Sequence, residues 1–323
     1  MAGTVSYDPQ SIEQELGMRT MSRHTGMAWL LLLAGLVLTA HAVYLAKSDI
    51  ERVALRDFIA EAEEVRLKIE ARLQAHKQVL LGGAAMFDAS DFVSRDEWHA
   101  YARRVRIDQH FNGIQGLGFA QAILPAQLPG HVAALRRQGF PQYGVRPPGK
   151  RELYSSIVYL EPFTGRNLRA FGYDMYSEPV RRAAMAKARD ENTVALSGRV
   201  TLVQETGRDV QAGTLMYVPV YRKGAPLESV AQRRAALLGW VYSPFRMNDL
   251  LEGVLARWDD HTIQHIHMQV YDGTAVNPEA LLYDSRAGLP NPVPLFSVDQ
   301  QIDFNGTLWT LHFEQHGGEM VGL

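Results

Sequence analysis

One stretch constrains this chain more than any other: residues 27–46, MAWLLLLAGLVLTAHAVYLA, carry no charged side chain. At about 1.5 Å per residue, a helix of that length covers the roughly 30 Å hydrocarbon core of a bilayer. Trp29 and Tyr44 stand near its ends, where amphipathic rings favour the headgroup layer, and His41 is its one costly position. Ala40-His41-Ala42 also has the small-x-small form of a signal-peptide cleavage site. The polar stretch 1–26 ahead of it, with Asp8, Glu13 and Glu15, is unlike a short basic leader, so the segment reads as an uncleaved anchor. Flanking charge does not orient it: Arg19 and Arg23 precede the segment, whereas Lys47, Arg52, Arg56 and Arg66 follow.

An anchor of this kind implies a large domain on one side of the membrane. Residues 1–26 read as a loose cytoplasmic tail. From 47 to about 81 there is no Pro or Gly, and Leu55, Phe58, Ala62, Val65, Ile69, Leu73 and Leu80 recur at helical spacing, with His76 interrupting. Such a helix is about 50 Å long and must pack on something. Its partner is either its own downstream domain or the same helix of a second copy. Ser94 with Glu97 three residues on forms a capping-box start for a second helix through Trp98, Tyr101 and Val105.

Beyond 111 the pattern changes to short β-favouring runs punctuated by Gly and Pro: 113–124, 154–160, 167–174, 194–204, 214–221 and 237–242. A helix is expected at 178–189, with Ser177 as its cap and Pro179 in its first turn, and another at 245–256. A second, smaller set of strands follows at 264–271, 280–284, 296–304 and 307–313, and Asn305-Gly306 between the last two signals a type I′ hairpin turn. The fold class is therefore α+β: a transmembrane helix, a long stalk helix, then two mixed lobes. The expected divisions are 1–26, 27–46, 47–110, 111–244 and 245–315, with 316–323 leading toward a second membrane segment and an output domain beyond this chain.

Composition narrows the function. The 33 basic and 35 acidic residues are scattered and give a net charge of −2, without the basic stripe that nucleic-acid binding needs. With no cysteine there is neither a disulfide framework nor a thiolate metal site. A nucleophile elbow, a phosphate-binding Gly-rich loop with Lys and a His-Glu-x-x-His motif are all missing, and Gly317-Gly318-Glu319 lacks the flanks of a cyclase signature. The expectation is a chain with no catalytic residues and no cofactor.

A set of short motifs, in order, resembles a known family. They are Phe92-x-x-Arg95-x-x-Trp98-x-x-Tyr101; Gly113-Ile114-x-Gly116-Leu117-Gly118-Phe119-Ala120; Gly172-Tyr173-Asp174-Met175; Ser177-Glu178-Pro179-x-Arg181; Ser197-Gly198-x-x-x-Leu202-Val203-Gln204-Glu205; and Tyr217-x-Pro219-Val220-Tyr221. Together they resemble the CHASE domain, a sensory module found ahead of histidine kinases and nucleotide cyclases and in plant cytokinin receptors. The resemblance covers about 55 to 315. It implies a stalk helix, two PAS-like lobes and a small molecule bound in the lobe farther from the membrane. It further implies that Asp174 and a main-chain group near Ser197 hold that ligand, although the Ser197 position departs from the plant pattern, which speaks against cytokinin itself.

The residues can be read without that resemblance. If 167–174 is a strand, Leu168, Ala170, Gly172 and Asp174 share one face, a floor of small side chains ending in a carboxylate that accepts from ligand N–H or O–H groups. The competing reading has Asp174 capping the following helix or pairing with Arg181 or Arg182. Ser197-Gly198 interrupts the apolar bulk of 194–204, as a ligand approach or as a bulge, and Thr201 lies on the same face as Ser197. Tyr217 and Tyr221 share a strand face and either wall a pocket or fill the core. Pro219 places its strand at an edge or bulge. The expected ligand-binding residues are Asp174, Ser197, Thr201 and Tyr217.

Other clusters are read as structural. His261, His265 and His267 invite a metal reading, but the alternation fits a solvated strand face with no carboxylate cluster nearby, and His312 and His316 weigh less still. Gln204-Glu205 beside Arg208-Asp209 reads as a solvated turn. The whole is expected to be a small-molecule sensor of the histidine kinase or diguanylate cyclase type. It would sit in a bacterial inner membrane with its bulk in the periplasm, as a homodimer through the stalk. The alternatives are a dimerisation or protein-interaction ectodomain without a ligand, and a periplasmic hydrolase.

Overall fold

A computed structural model describes residues 9–106, 113–207, 209–255, 266–290 and 292–316, with side chains from Met27 onward. His261, His265, Arg208, Phe111, the end of the second expected inner helix at Ala256 and the stretch 317–319 lie outside the described residues. The chain divides into two compact units, Met1–Phe58 and Ile59–Leu323. The fold is α+β: a long N-terminal helix precedes a β-rich region of two antiparallel sheets.

The first unit is helical. Helix α1 is Pro9–Ala89, so residues 9–26 continue the helix rather than forming the loose tail expected of them. Its apolar run carries exposed Trp29, Leu31, Leu38 and Tyr44, and it is long and apolar enough to cross a membrane. Large apolar side chains left bare along some 30 Å of helix are stable only against lipid or another protein.

In the second unit the rest of α1 uses the expected stripe. Ala62, Val65, Ile69, Leu73 and Leu80 are all buried, and so is His76, which continues the stripe by stacking on Phe245 with ring centroids 5.1 Å apart. Burying each of the larger aliphatic side chains is worth about 2 kcal/mol. Helix α2 (Arg95–Val105) begins at the capping box read from the sequence: the Ser94 side chain accepts from Glu97 N, and the Glu97 carboxylate accepts from Ser94 N. Its Trp98 is fully buried.

The larger sheet holds β1 (Leu117–Ile123), β2 (Tyr154–Glu161), β3 (Ala195–Leu196), β4 (Val200–Thr201), β5 (Ala212–Tyr221) and β6 (Leu237–Arg246) in the order β2-β1-β6-β5-β3, with β4 also on β5. Helix α3 (Leu128–Arg137) lies between β1 and β2, α4 (Pro179–Glu191) before β3, and α5 (Val230–Ala236) before β6; α3 and α5 are additions to the elements expected from the sequence. One core packs Met185 and Ala188 of α4 with Leu215, Tyr217, Trp240 and Tyr242 of the sheet. Beyond the Ala195–Tyr217 pairing β5 has a partner on one side only among the described residues, so Pro219 sits on an edge, as its missing N–H requires.

After α6 (Met247–Leu255) comes the smaller sheet: β7 (Ile266–Asp272), β8 (Leu281–Asp284), β9 (Pro294–Phe304) and β10 (Thr307–His316), in the order β8-β7-β10-β9. Asn305 and Gly306 join β9 to β10 with φ of 52° and 77°, the two left-handed positions a type I′ turn demands.

The two sheets meet at the break between β3 and β4. Arg199 donates its backbone N–H to Asp272 Oδ2 at 2.8 Å and its Nε–H to the Leu281 carbonyl at 2.9 Å. A Cβ on Gly198 would sit 2.8 Å from Asp272 Oδ2. Asn305 and Lys187 close a second contact, Asn305 Nδ2 donating to Val194 O and Lys187 Nζ to Asn305 O.

Candidate ligand-binding site

Asp174 is the residue on which a ligand reading turns, and the structure changes how it is presented. Residues 167–174 are not a strand. Gly165–Ala170 is a 3₁₀ helix, and the chain then wedges between β2 and the stretch 144–146. Gly172 N donates to Ile157 O, Arg146 N donates to Gly172 O, and Asp174 N donates to Arg146 O. Gly172 makes the wedge possible: its φ is 79°, and a Cβ there would lie 2.5 Å from Gly144 O. The face predicted to join Leu168 with Asp174 therefore does not exist, and Leu168 is exposed.

The Asp174 side chain is fully buried and turned toward β2. Oδ1 accepts from Ser155 N at 2.8 Å, from Ser155 Oγ at 3.1 Å and from Tyr176 N at 3.2 Å, so it caps the short helix Met175–Ser177 rather than the long one. The cap of α4 is Glu178, which accepts from Val180 N and Arg181 N, where Ser177 was expected. Oδ2 lies 3.3 Å from Arg151 Nε but out of line for a hydrogen bond, and has no other partner among the described residues. Arg151, not Arg181 or Arg182, is thus the arginine facing it, held in turn by the carbonyls of Pro147 and Gly149. Burial pushes the Asp174 carboxyl above its usual range, against the Ser155 and Tyr176 hydrogen bonds and the Arg151 charge.

The neighbours of Asp174 point the other way. The Met175 thioether accepts from the Tyr217 hydroxyl at 3.6 Å, and the Tyr173 hydroxyl accepts from Arg181 Nη1 at 3.1 Å. Arg181 is buried and donates its other terminal nitrogen to Thr201 O at 2.8 Å. Tyr217 and the Thr201 main chain are thereby gathered around Arg181, while the Thr201 side chain is exposed. Ser197 is fully buried, but its polar atoms are used within the fold: N donates to Leu215 O, and Oγ accepts from Leu215 N and donates to Gly198 O. Its link to Tyr217 is the β3–β5 ladder, in which Ala195 pairs with Tyr217. Tyr217 and Tyr242 stack with centroids 6.3 Å apart, burial raises both phenols, and the Tyr242 hydroxyl has no partner among the described residues.

Sequence reasoning missed Arg151, Ser155 and Tyr242, whose roles come from tertiary contacts and leave no local pattern, and named Arg181 only as a partner for Asp174. Among the recesses on the second unit, two reach several hundred Å³. One of about 560 Å³ is lined by residues such as Lys77, Asp88, Asn192, Tyr221 and Lys223, and one of about 430 Å³ by Phe140, Tyr143, Arg146 and Phe171 among others. Asp174, Ser197, Thr201 and Tyr217 line neither.

Two readings of solvated polar clusters are corrected. Glu205 is buried, its Oε1 accepting from Arg246 Nε at 2.9 Å, and Arg246 also holds Asp249 and Asp209, each at 2.8 Å. The turn is pinned from inside by one guanidinium. His267 is likewise buried, between the carboxylates of Glu314 and Asp284.

A family model for the CHASE domain matches residues 91–283, more than half of the chain. No curated protein matches it.

Proposed function

We propose, on the premise that the chain belongs to the CHASE domain family, that it is the small-molecule sensing half of a transmembrane receptor. The CHASE domain is an extracellular sensory domain, and the N-terminal helix of this chain is able to cross a membrane. In this reading the helix is the anchor in a bacterial inner membrane and the two sheets are periplasmic, PAS-like lobes. The larger sheet forms the distal lobe, and the output is a histidine kinase or diguanylate cyclase. Stalk dimerisation would use side chains left exposed on α1, such as Leu67, since the stripe from Ala62 to Leu80 is spent on the chain's own fold.

The observation that carries a ligand site is the Asp174 carboxylate. One oxygen takes three hydrogen bonds and the other takes none, although both are buried. An unsatisfied buried carboxylate oxygen costs several kcal/mol unless a donor reaches it. A ligand N–H entering from the Arg151 side would supply that donor. Tyr217 and the Thr201 main chain, which face Arg181 instead, would act on such a ligand only indirectly, through Met175 beside Asp174, with Ser197 behind Tyr217 on the β3–β5 ladder. A ligand shifts the receptor only by binding one state better than the other.

The test is a thermal-shift screen of the full chain in detergent against small organic molecules, with hits repeated on Asp174→Asn. The reading expects at least one hit whose affinity falls about tenfold in the variant, one lost charge-assisted hydrogen bond being worth about 1.5–3 kcal/mol. Equal affinity in the variant removes Asp174 from the site. The interior filled by Met175, Met185, Tyr217 and Trp240 favours a second reading, a protein-interaction ectodomain without a ligand. A screen without hits would select it.

A further inference from the structure

The smaller sheet gathers ionisable side chains that are far apart in sequence. In the β7–β10 register His267 stands opposite Glu314, and in the β10–β9 register His312 stands opposite Asp299. Because side chains alternate along a strand, His312, Glu314 and His316 project from one face of β10, the face that His267 shares. His267 Nδ1 lies 2.9 Å from Glu314 Oε2, and His316 Nε2 lies 3.7 Å from the same oxygen. One ligand atom from each of these three residues falls within 4.8 Å of the others.

Two features separate this group from an ordinary salt-bridge cluster. The His316 side chain is only 8% exposed, yet neither of its ring nitrogens has a hydrogen-bond partner among the described residues. A buried imidazole aimed at a carboxylate beyond hydrogen-bond reach is short of a third party. The second feature lies behind His267, whose Nε2 is 2.7 Å from Asp284 Oδ1. In a neutral ring the Nε2–H donates to Asp284 and leaves the Nδ1 lone pair facing Glu314 and His316. A carboxylate that fixes tautomer and ring orientation in this way commonly backs a metal-ligating histidine. His312 supports Glu314 similarly, its Nε2 standing 3.3 Å from Glu314 Oε1.

We propose that His267 Nδ1, Glu314 and His316 form a binding site for a divalent transition-metal ion of the zinc class, with Asp284 and His312 as the groups that orient the ligands. Zinc takes imidazole nitrogen and carboxylate oxygen at about 2.0–2.2 Å, which in tetrahedral geometry sets neighbouring ligand atoms about 3.3 Å apart. The separations of 2.9 and 3.7 Å bracket that spacing. Two imidazoles and a carboxylate leave the fourth position for water or another donor. Asp284, Glu314 and His316 lie beyond the stretch matched by the family model, and His267 lies within it.

The experiment uses the full chain in detergent, stripped with chelator and titrated with Zn²⁺ against a chromophoric competitor. Co²⁺ provides an independent readout through its visible absorption. The expected result is one tight Zn²⁺ per chain and a tetrahedral Co²⁺ band. His316→Ala and Glu314→Gln should each weaken binding by 100-fold or more, and Asp284→Asn, which leaves the ligands in place, by about tenfold. His99→Ala, at an exposed histidine on Glu161, should bind like the parent. If His316→Ala fails to fold by circular dichroism, the near-isosteric Glu314→Gln carries the test. Absence of a stoichiometric site, full affinity in Glu314→Gln, or an equal loss in His99→Ala overturns the proposal.

Discussion

In the six-stranded sheet the buried polar groups are isolated from one another: Asp174 against β2, Tyr242 in the core, and Arg246 with its three carboxylates at the far end of β6. In the four-stranded sheet they are adjacent, with His267, Asp284, His312 and Glu314 in contact across neighbouring strands. The larger sheet has α4 and its core on top, so its buried polar groups stand apart and each finds its partners locally, from the backbone or from neighbouring counter-charges. The smaller sheet leaves one face partly open, which tolerates several charges as long as they neutralise each other. Charge in the first sheet is therefore handled at separate points, and in the second it is shared across one cluster.

The largest effect is expected where an isolated charge loses its partner. Arg246→Ala strands the buried Glu205 carboxylate and should cost about 3–5 kcal/mol in urea unfolding of the full chain. A loss below 1 kcal/mol would mean that charges in the larger sheet are as replaceable as those in the smaller.

Acid should distinguish the regions next. Burial, with help from Arg72, lowers the pKa of His76 to about 3. A histidine whose folded pKa is depressed contributes stability that is present above its unfolded value near 6.5 and is lost as pH falls toward 3. At about 1.4 kcal/mol per pH unit, His76→Leu should recover about 2–3 kcal/mol relative to the parent between pH 7 and pH 4.5. Parallel pH profiles for the two proteins would place the acid sensitivity elsewhere.

A smaller change is expected at the junction of the sheets. Gly198→Ala pushes a methyl group against Asp272 Oδ2 while Arg199 N holds that carboxylate, so about 1–3 kcal/mol should be lost. Gly207→Ala, with open space around it but φ at 80°, is the control that reports backbone strain alone. Equal losses would mean the junction is not tightly packed.

The smallest effect concerns Asp174. Its raised pKa means that the folded state resists ionisation, so its contribution to stability is complete below the unfolded pKa and lost as pH rises through the folded one. Asp174→Asn should raise the neutral-pH Tm slightly and flatten the decline of Tm across the acidic range. A lowered Tm at all pH values would show the carboxylate acting through Arg151 instead.

Much of this architecture could be read from local pattern. The capping box at Ser94, the Asn305-Gly306 turn, the stripe on α1 and the edge position of Pro219 each follow from a few adjacent residues and the hydrogen bonds they can make. The errors have the opposite character. Residues 167–174 alternate like a strand, but a left-handed Gly172 and contact with Gly144 turn them into a wedge. His267 resembles a solvated residue until Asp284 and Glu314, brought in from two other strands, cover it. Glu205 depends on an arginine 41 positions away. Asp174 was visible as a residue of interest, but the oxygen it leaves open was not, because Ser155 and Arg151 decide that.

Strand β7 has a further consequence. Asp272 at one end grips the backbone of Arg199, and His267, near the other end, sits among the imidazoles and carboxylates. The strand is laddered to β10 along its whole length of about 20 Å, and to β8 from Gln269 to Tyr271. Its register on β10 is fixed, since a one-residue slip would turn every side chain to the wrong face. The Ser197–Arg199 corner and the groups around Glu314 are thereby tied to one and the same strand.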